Sequence, residues 1–117
     1  MDIVDSYFSF GGEQKVIKHY SSVNNCEMKF SIYLPPLSKS KKVPIIWYLS
    51  GLTCTHANVT EKGEFRQKAS ELGLAIVCPD TSPRGENVPD EEDNWQFGFG
   101  AGFYLDATQE PYKDNYN

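Results

Sequence analysis

The sequence lacks long apolar runs, which bears on where the protein can reside. Residues 45–49 and 74–78 are apolar stretches, and both are far shorter than the roughly 20 residues that a membrane-spanning helix needs. The start of the chain carries Asp2 and Asp5, where a signal peptide would carry positive charge. We therefore expect a soluble, cytoplasmic protein that has neither a targeting nor a membrane segment.

Positive charge is also scarce. The 117 residues include 11 lysines and arginines against 16 acidic residues, which gives a net charge of −5 at pH 7. A chain with this balance does not produce the field that attracts nucleic acid or an anionic membrane surface. We expect neither of them as a partner.

Paired cysteines are missing as well. Cys26, Cys54 and Cys78 are an odd number of thiols, and no two of them have the CxxC spacing, so neither a disulfide framework nor a zinc site is predicted. The acidic run at 90–93 is contiguous and does not match the alternating ligands of a calcium-binding EF-hand loop. We expect reduced thiols, a solvated acidic loop and no metal.

The first half of the chain contains an alternating pattern that is typical of strands. Residues 13–21 are predicted to form one strand after the Gly11-Gly12 breaker, and residues 28–34 a second one. In the second strand a period of two puts apolar side chains on the predicted core face, at Met28, Phe30, Ile32 and Leu34. The positions between them, Lys29, Ser31 and Tyr33, are then expected to face water. Asn24 and Asn25 predict the turn of an antiparallel hairpin.

A different kind of strand follows. Residues 43–49 are apolar almost throughout, which is typical of a strand that helices cover on both faces, and residues 74–78 have the same character. Between them, residues 64–72 are predicted to form one helix that stops at Gly73. The order strand, helix, strand predicts a parallel pair with a right-handed crossover, and hence an α/β sheet.

Two loops leave these buried strands at the edge of the sheet where ligands usually bind. They are residues 50–55 and residues 80–85, and in open α/β sheets ligands bind at the carboxyl ends of the parallel strands. The alternative is that both loops are ordinary strand-to-helix turns.

Residues 80–102, after Pro79, have no strong period, and such a long irregular stretch is more often a binding loop than a connector. Its aromatic side chains at Trp95, Phe97 and Phe99 could line an apolar pocket. The alternative is local core, which is favoured for Phe103 and Tyr104. The glycines at 98–102 do not follow an apolar strand, so a dinucleotide site is rejected.

Three blocks of the sequence carry a resemblance to a known family. They read LSGLTCT at 49–55, PDTSPRG at 79–85 and GAGFYLDAT at 100–108. In this order and at this spacing they resemble the signature blocks of S-formylglutathione hydrolases, also called esterase D. FGG at 10–12 and YLPP at 33–36 agree, so the resemblance covers nearly the whole chain.

The resemblance implies an α/β-hydrolase fold, of which residues 1–117 would form the N-terminal part of a single domain. It also implies a cytoplasmic thioesterase that hydrolyses S-formylglutathione to formate and glutathione with a Ser, Asp and His triad. No metal or organic cofactor is implied, the partner would be a small glutathione thioester, and the full-length protein could form a homodimer. Two alternatives stay open: a general carboxylesterase of the same fold, and a non-catalytic remnant that only binds partners.

The resemblance places the catalytic triad outside these 117 residues. The nucleophile of this fold sits in a G-x-S-x-G turn, and no such pentapeptide occurs here. We therefore expect the nucleophile strand and the triad to lie downstream of Asn117. What the chain would supply is half of an oxyanion hole, with the backbone amide of Leu52 as the donor.

Residues in and between the blocks also receive expected roles. Cys54, Thr53 and Trp95 are expected near the substrate, although Cys54 could equally be a small buried residue behind the loop. A Cys54–His56 catalytic pair is disfavoured because residues two apart on a loop rarely make the required contact.

A supporting role in loop architecture is expected for a second set: Ser50, Gly51, Asp80, Arg84 and Gly85. Arg84 could bind a glutathione carboxylate, but bonding to acids such as Asp80 or Asp106 is favoured. Gln96 and Phe99 depart from the usual family pattern, which leaves the acyl preference open.

The missing triad gives a first testable prediction. A pure preparation of the 117-residue chain should have no S-formylglutathione hydrolase activity, because the expected acyl-enzyme needs a nucleophile that the chain lacks. Release of glutathione from the thioester measures this. Turnover above the uncatalysed rate would contradict the prediction.

Overall fold

A computed structural model describes residues 1–91, 94 and 96–117, and within them it shows five strands in one sheet with two short α-helices packed on it. The strands and helices have the following bounds: β1 Asp2–Ser9, β2 Gly12–Ser21, β3 Cys26–Leu34, β4 Ile45–Trp47, α1 Ala57–Lys62, α2 Arg66–Leu72 and β5 Ala75–Pro79. A short 3₁₀ helix, Pro36–Lys39, follows β3 at the paired prolines.

The spatial order of the strands is β1-β2-β3-β5-β4. The predicted hairpin is confirmed, since β2 and β3 pair antiparallel from Glu13 opposite Leu34 to Ser21 opposite Cys26. The predicted parallel pair is confirmed as well, since β4 and β5 run parallel. The last strand, β5, is also antiparallel to β3, which makes the sheet mixed and places β5 between the hairpin and β4.

Strand β1 was not predicted from the sequence. It pairs antiparallel with β2, and all of its residues but Ser9 are exposed. A strand that buries neither face has no reason to alternate between apolar and polar residues, and such an alternation is the signal that identifies strands in a sequence.

The core lies under the two helices. Tyr33 of β3 packs there with Ala69 of α2 and with Ile76 and Cys78 of β5. Tyr33 is completely buried, and its hydroxyl donates to the carbonyl of Ser9 at 3.1 Å. The core therefore ties the hairpin to β5 and to the helices.

The predicted facing of β3 was wrong. Ser31 and Tyr33 are buried rather than exposed, because α1 and α2 cover the face on which they lie. The Ser31 hydroxyl donates to the carbonyl of His56 at 3.1 Å and is also hydrogen-bonded to Thr60, so a polar residue is satisfied there. The apolar side chains on the opposite face are only partly buried: Met28, Phe30, Ile32 and Leu34.

The predicted burial of the two apolar strands holds for one of them. The first four residues of β5 are 1–8% exposed, as expected. In β4 the prediction was wrong, because Ile45, Ile46 and Trp47 are 47–64% exposed. Within the described residues β4 is an edge strand that pairs with β5 alone, so only one of its sides is protected.

The crossover between β4 and β5 contains two helices instead of the single predicted one. Helix α2 ends at Gly73, whose φ of 67° is the left-handed conformation that glycine adopts without strain. Helix α1 precedes it and was missed, because its six residues are too few for a clear helical period. In the described part of the chain, no helix is long and apolar enough to cross a membrane.

The exposed edge at β4 gives a second prediction. Apolar strand edges pair with other chains, so the isolated chain should self-associate at micromolar concentrations. The variant Trp47→Lys should weaken this association, because a charge on the edge strand opposes pairing. Leu72→Lys is the matched control, since Leu72 on α2 is 59% exposed against 64% for Trp47. Sedimentation velocity measures the association, and equal effects of the two variants would contradict the assignment to β4.

Candidate active site

The two loops predicted at the edge of the sheet lie against each other. Because β4 and β5 are parallel neighbours, the chain leaves both strands at the same end, and the amide of Tyr48 still donates to the carbonyl of Val77 at 2.8 Å. Beyond this point the carbonyl of Cys54 accepts hydrogen bonds from the Thr81 hydroxyl and from Nη2 of Arg84, the latter at 3.0 Å. The loop at 80–84 therefore holds the loop at 50–55 directly.

The loop after β4 contains a tight turn. The amide of Cys54 donates to the carbonyl of Gly51 at 3.1 Å, and Thr53 has a φ of 66°. A hydrogen bond from the fourth residue to the first, with positive φ at the third, is the signature of a type II turn. Thr53 is β-branched and rarely adopts this conformation, so the turn is strained and has to be held from outside.

That support comes from the loop at 98–102. The amide of Thr53 donates to the carbonyl of Gly100 at 2.7 Å, and the amide of Gly100 donates to the Ser82 hydroxyl at 2.8 Å. Gly100 has a φ of 84°, and a Cβ there would lie 3.0 Å from the Cα of Thr53. A glycine is required at this position by both the conformation and the close approach.

The amide of Leu52 lies at the second position of the turn. Unlike the amides of Thr53 and Cys54, it makes no hydrogen bond with any residue that the structure describes. Both of its flanks are held, since Ser50 is buried and its carbonyl accepts a hydrogen bond from the Tyr104 hydroxyl at 2.7 Å. Within the described residues the turn thus presents the N–H of Leu52 without a partner, on a supported backbone.

Tyr104 was assigned to local core from the sequence, and its contact with Ser50 was missed. It is half exposed and has a φ of 54°, and burial of its hydroxyl end raises the pKa of the phenol. Its place inside one of the three family-like blocks was the one available signal, because 54 residues separate the two partners.

The carboxylate of Asp80 binds three N–H groups. One oxygen accepts from the backbone amide of His56 at 3.0 Å and from Nδ1 of the same histidine at 2.7 Å, and the other accepts from the amide of Lys29 at 3.0 Å. Burial alone would raise the pKa of Asp80, but the bonds from His56 outweigh it and hold the pKa below its usual value. Asp80 is therefore an ionised residue that connects β3, β5 and the start of α1.

Arg84 and Gly85 continue this loop. Arg84 donates to the carbonyls of Cys54 and Ser82, so among the described residues its partners are backbone oxygens, not the carboxylates of Asp80 or Asp106 that the sequence suggested. The carbonyl of Gly85 accepts from the amide of Val88 at 3.1 Å, which closes a turn on the surface.

The thiols occupy two environments. Cys26 and Cys78 are buried, which raises the pKa of both, whereas Cys54 is half buried beside the strained turn. No hydrogen bond joins Cys54 to His56 in the part of the chain that the structure describes, since Nδ1 of His56 faces Asp80. The same part of the chain contains no cluster of three metal-binding side chains.

A cavity of about 360 Å³ opens next to the loop at 80–83. Its volume falls within the range of small-molecule sites. Aromatic and polar side chains contribute to its wall, among them Gln96, Phe97, Phe103 and Tyr104. Phe99 is not part of this wall. Trp95, which was expected near the substrate, lies outside the described residues.

The sequence is similar to a family model and to several curated proteins. The family model described as "Putative esterase" matches residues 21–117. S-formylglutathione hydrolase of Bos taurus is 53% identical over 113 residues, which are 97% of this chain and 40% of that protein. The corresponding protein of Paracoccus denitrificans is 50% identical over 108 residues. The chain thus spans about 40% of the length of the curated relatives it matches.

Solved structures give the same likeness. An S-formylglutathione hydrolase from Agrobacterium tumefaciens superimposes with a TM-score of 0.97 at 59% identity, over 99% of this chain and 42% of that one. A ferulic acid esterase superimposes with a TM-score of 0.56 at 21% identity over 64% of this chain, which is a likeness of fold alone. The predicted α/β-hydrolase fold is confirmed for the part of the domain that these residues represent.

The ionised Asp80 gives a third prediction. A carboxyl whose pKa is lower in the folded protein stabilises it above the unfolded pKa of about 4, and the contribution is lost as the pH falls through the folded value. Hydrogen bonds to a charged group stabilise by about 1.5–3 kcal/mol. Asp80→Asn should therefore lower the free energy of unfolding by roughly 2 kcal/mol at pH 7. The difference from the wild type should shrink as the pH falls below 4, and urea unfolding at several pH values measures it. A difference that does not depend on pH would contradict the assignment.

Proposed function

Because this chain belongs to the esterase family that its residues 21–117 match, and because its resemblance to S-formylglutathione hydrolases is confirmed at about 50% identity, we propose that the complete protein hydrolyses S-formylglutathione. The products are formate and glutathione. A serine adds to the thioester carbonyl, the C–S bond breaks to release the glutathione thiol, and water then releases formate from the formyl-enzyme. The serine, and the Asp and His that activate it, are assigned to the part of the relatives' length that this chain does not span.

One observation carries the proposal: the unpaired amide of Leu52 in a turn that is held on both sides. Addition to a thioester carbonyl places negative charge on its oxygen, and a fixed N–H directed at that charge stabilises the transition state. Such a donor works only if it is already in position and has no partner in the resting protein. The Leu52 amide meets both conditions within the described residues.

A cavity that suits a small substrate lies beside two of the segments that hold the turn, since residues 80–83 and Tyr104 line it. The cavity beside residues 80–83 is large enough for an acyl group and part of a thiol carrier, and its wall contains both aromatic and polar side chains. Cys54 and Thr53 lie in the turn itself, close to where the acyl group would bind. Gln96 lines the cavity, so it is our candidate for tuning the acyl preference.

We also assign the complete protein to the cytoplasm. All three cysteines are free, which is usual in a reducing compartment, and the glutathione thioester would be formed where glutathione is abundant.

A chimeric enzyme tests the proposal directly. Residues 1–117 replace the segment of the Agrobacterium tumefaciens hydrolase on which they superimpose, so that the rest of the domain supplies the triad. The chimera should hydrolyse S-formylglutathione, and kcat/KM should be higher for this thioester than for a simple p-nitrophenyl ester. A preference for the simple ester would instead support a general carboxylesterase. An inactive but folded chimera would contradict the proposal.

Two substitutions at Leu52 provide the fourth prediction. Leu52→Pro removes the N–H at the second position of a type II turn, where proline fits the backbone, so it deletes the donor without destroying the turn. We expect kcat of the chimera to fall roughly 100- to 1,000-fold. The control is Leu52→Ala, which keeps the N–H and should lose no more than about threefold, since its backbone donor is unchanged. Similar losses in both variants would argue against an oxyanion role for the amide.

A further inference from the structure

His56 and Asp80 form a partly buried pair next to the turn that carries the Leu52 amide. Their side chains are 16% and 14% exposed, and Nδ1 of His56 lies 2.7 Å from Oδ1 of Asp80. Because Asp80 is ionised and can only accept, the imidazole carries a proton on Nδ1, and this N–H donates a hydrogen bond to the carboxylate. Neither residue has a part in the acyl-transfer chemistry described above.

Hydrogen bonds fix both the carboxylate of Asp80 and the backbone of His56. The second oxygen of Asp80 accepts from the amide of Lys29 in β3, so the carboxylate cannot rotate away from His56. The backbone of His56 is held as well, since its amide donates to Asp80 and its carbonyl accepts from the hydroxyls of Ser31 and Thr60. His56 is thus connected to the most buried part of the sheet.

His56 is connected to the turn through the backbone of Thr55 and Cys54. Thr55 follows the turn, and its amide donates to Oδ1 of Asn58 at 2.8 Å, while its hydroxyl accepts from the amide of Ala57 at 3.2 Å. Cys54 precedes it, and its carbonyl is held by the loop that begins at Asp80. The segment from Cys54 to His56 therefore has little freedom, and a shift of His56 would be passed on to the turn.

A shift of His56 would alter the shape of the turn because Thr53 is strained. Its left-handed conformation is strained, so the turn relaxes unless both of its ends are held. Gly100 and Arg84 bind the turn itself. The Tyr104 hydroxyl holds the start of the loop at Ser50, and the His56 and Asp80 pair adds support at its end. A displacement of about 1 Å at a reacting centre can cost 100-fold in rate.

We propose that His56 and Asp80 are positioning residues that keep the Leu52 amide aimed at the substrate oxygen, an inference that rests on the proposed hydrolase function. They act through the backbone and touch neither the substrate nor the nucleophile. The structure assigns them a role in the speed of the chemical step rather than in substrate affinity, because the amide they support makes its bond in the transition state.

Substitutions at His56 in the chimera separate this role from a general loss of stability. In His56→Asn the amide nitrogen stands where Nδ1 stands and can still donate to Asp80, whereas in His56→Gln the donor is displaced by one carbon, and in His56→Ala it is absent. We expect kcat to fall roughly 10- to 100-fold in the Ala and Gln variants, with KM changed by less than about threefold. The Asn variant should retain most of the activity. His19→Ala is the matched control, because His19 packs on Phe30 in the hairpin and should leave kcat unchanged.

Asp80→Ala removes the acceptor for all three N–H groups, so it should lower kcat further than His56→Ala does. The double variant should be close to Asp80→Ala alone, because the two side chains act as one unit. If His56→Ala does not fold, the comparison of kcat between the Asn and Gln variants still tests the positioning role.

Hydrogen exchange gives a readout that does not depend on activity. In the chimera, the hydrogen-bonded amides of Thr53, Cys54 and Thr55 should exchange at least about tenfold faster in His56→Gln than in His56→Asn or His19→Ala, since the turn is released at one end. If the parent chimera is inactive, the proposed hydrolase function is contradicted. The exchange measurement then tests by itself whether the His56 and Asp80 pair supports the turn. Equal exchange in the Asn and Gln variants, or equal kcat in them, would overturn the proposal.

Discussion

The carboxylate of Asp80 is the contact on which the arrangement of the site depends. It follows the most buried strand and binds N–H groups from β3 and from His56, the residue before α1. Three segments that are far apart in the sequence are thereby joined by a single charged group. Because such bonds are shorter and stronger than neutral ones, they can fix loops that have few apolar contacts of their own.

The strained turn at 51–54 is the feature that this network supports. A threonine in the left-handed conformation costs of order 1–3 kcal/mol and persists only where its surroundings determine it. Here three separate segments do so: the loop at 80–84 from one side, Gly100 from another, and Tyr104 at Ser50. The result is a backbone N–H that is held in position, as the proposed oxyanion role requires.

The sheet positions these loops by the order of its strands. Since β5 lies between β3 and β4, the loop at 80–84 can contact both the hairpin and the loop after β4. Among the described residues the same order leaves β4 at an edge, with its apolar side chains exposed. An apolar strand of this composition is predicted to be buried. The prediction was wrong for β4, because burial depends on what lies beside the strand and not on the strand itself.

Local sequence patterns were enough to predict the hairpin, the parallel pair of β4 and β5, and the helix that ends at Gly73. They also predicted the two loops at one edge of the sheet. Each of these depends on neighbouring residues: turn formers between strands, an apolar run, a glycine stop. The family could also be recognised from the sequence, because each of its signature blocks is a contiguous run of residues. The buried face of β3, the exposure of β4, and the contacts of Tyr104 with Ser50 and of Asp80 with Lys29 and His56 were decided only by the tertiary structure. The partners in those contacts are separated by 24 to 54 residues, and no local pattern records which distant group will meet a side chain once the sheet has formed.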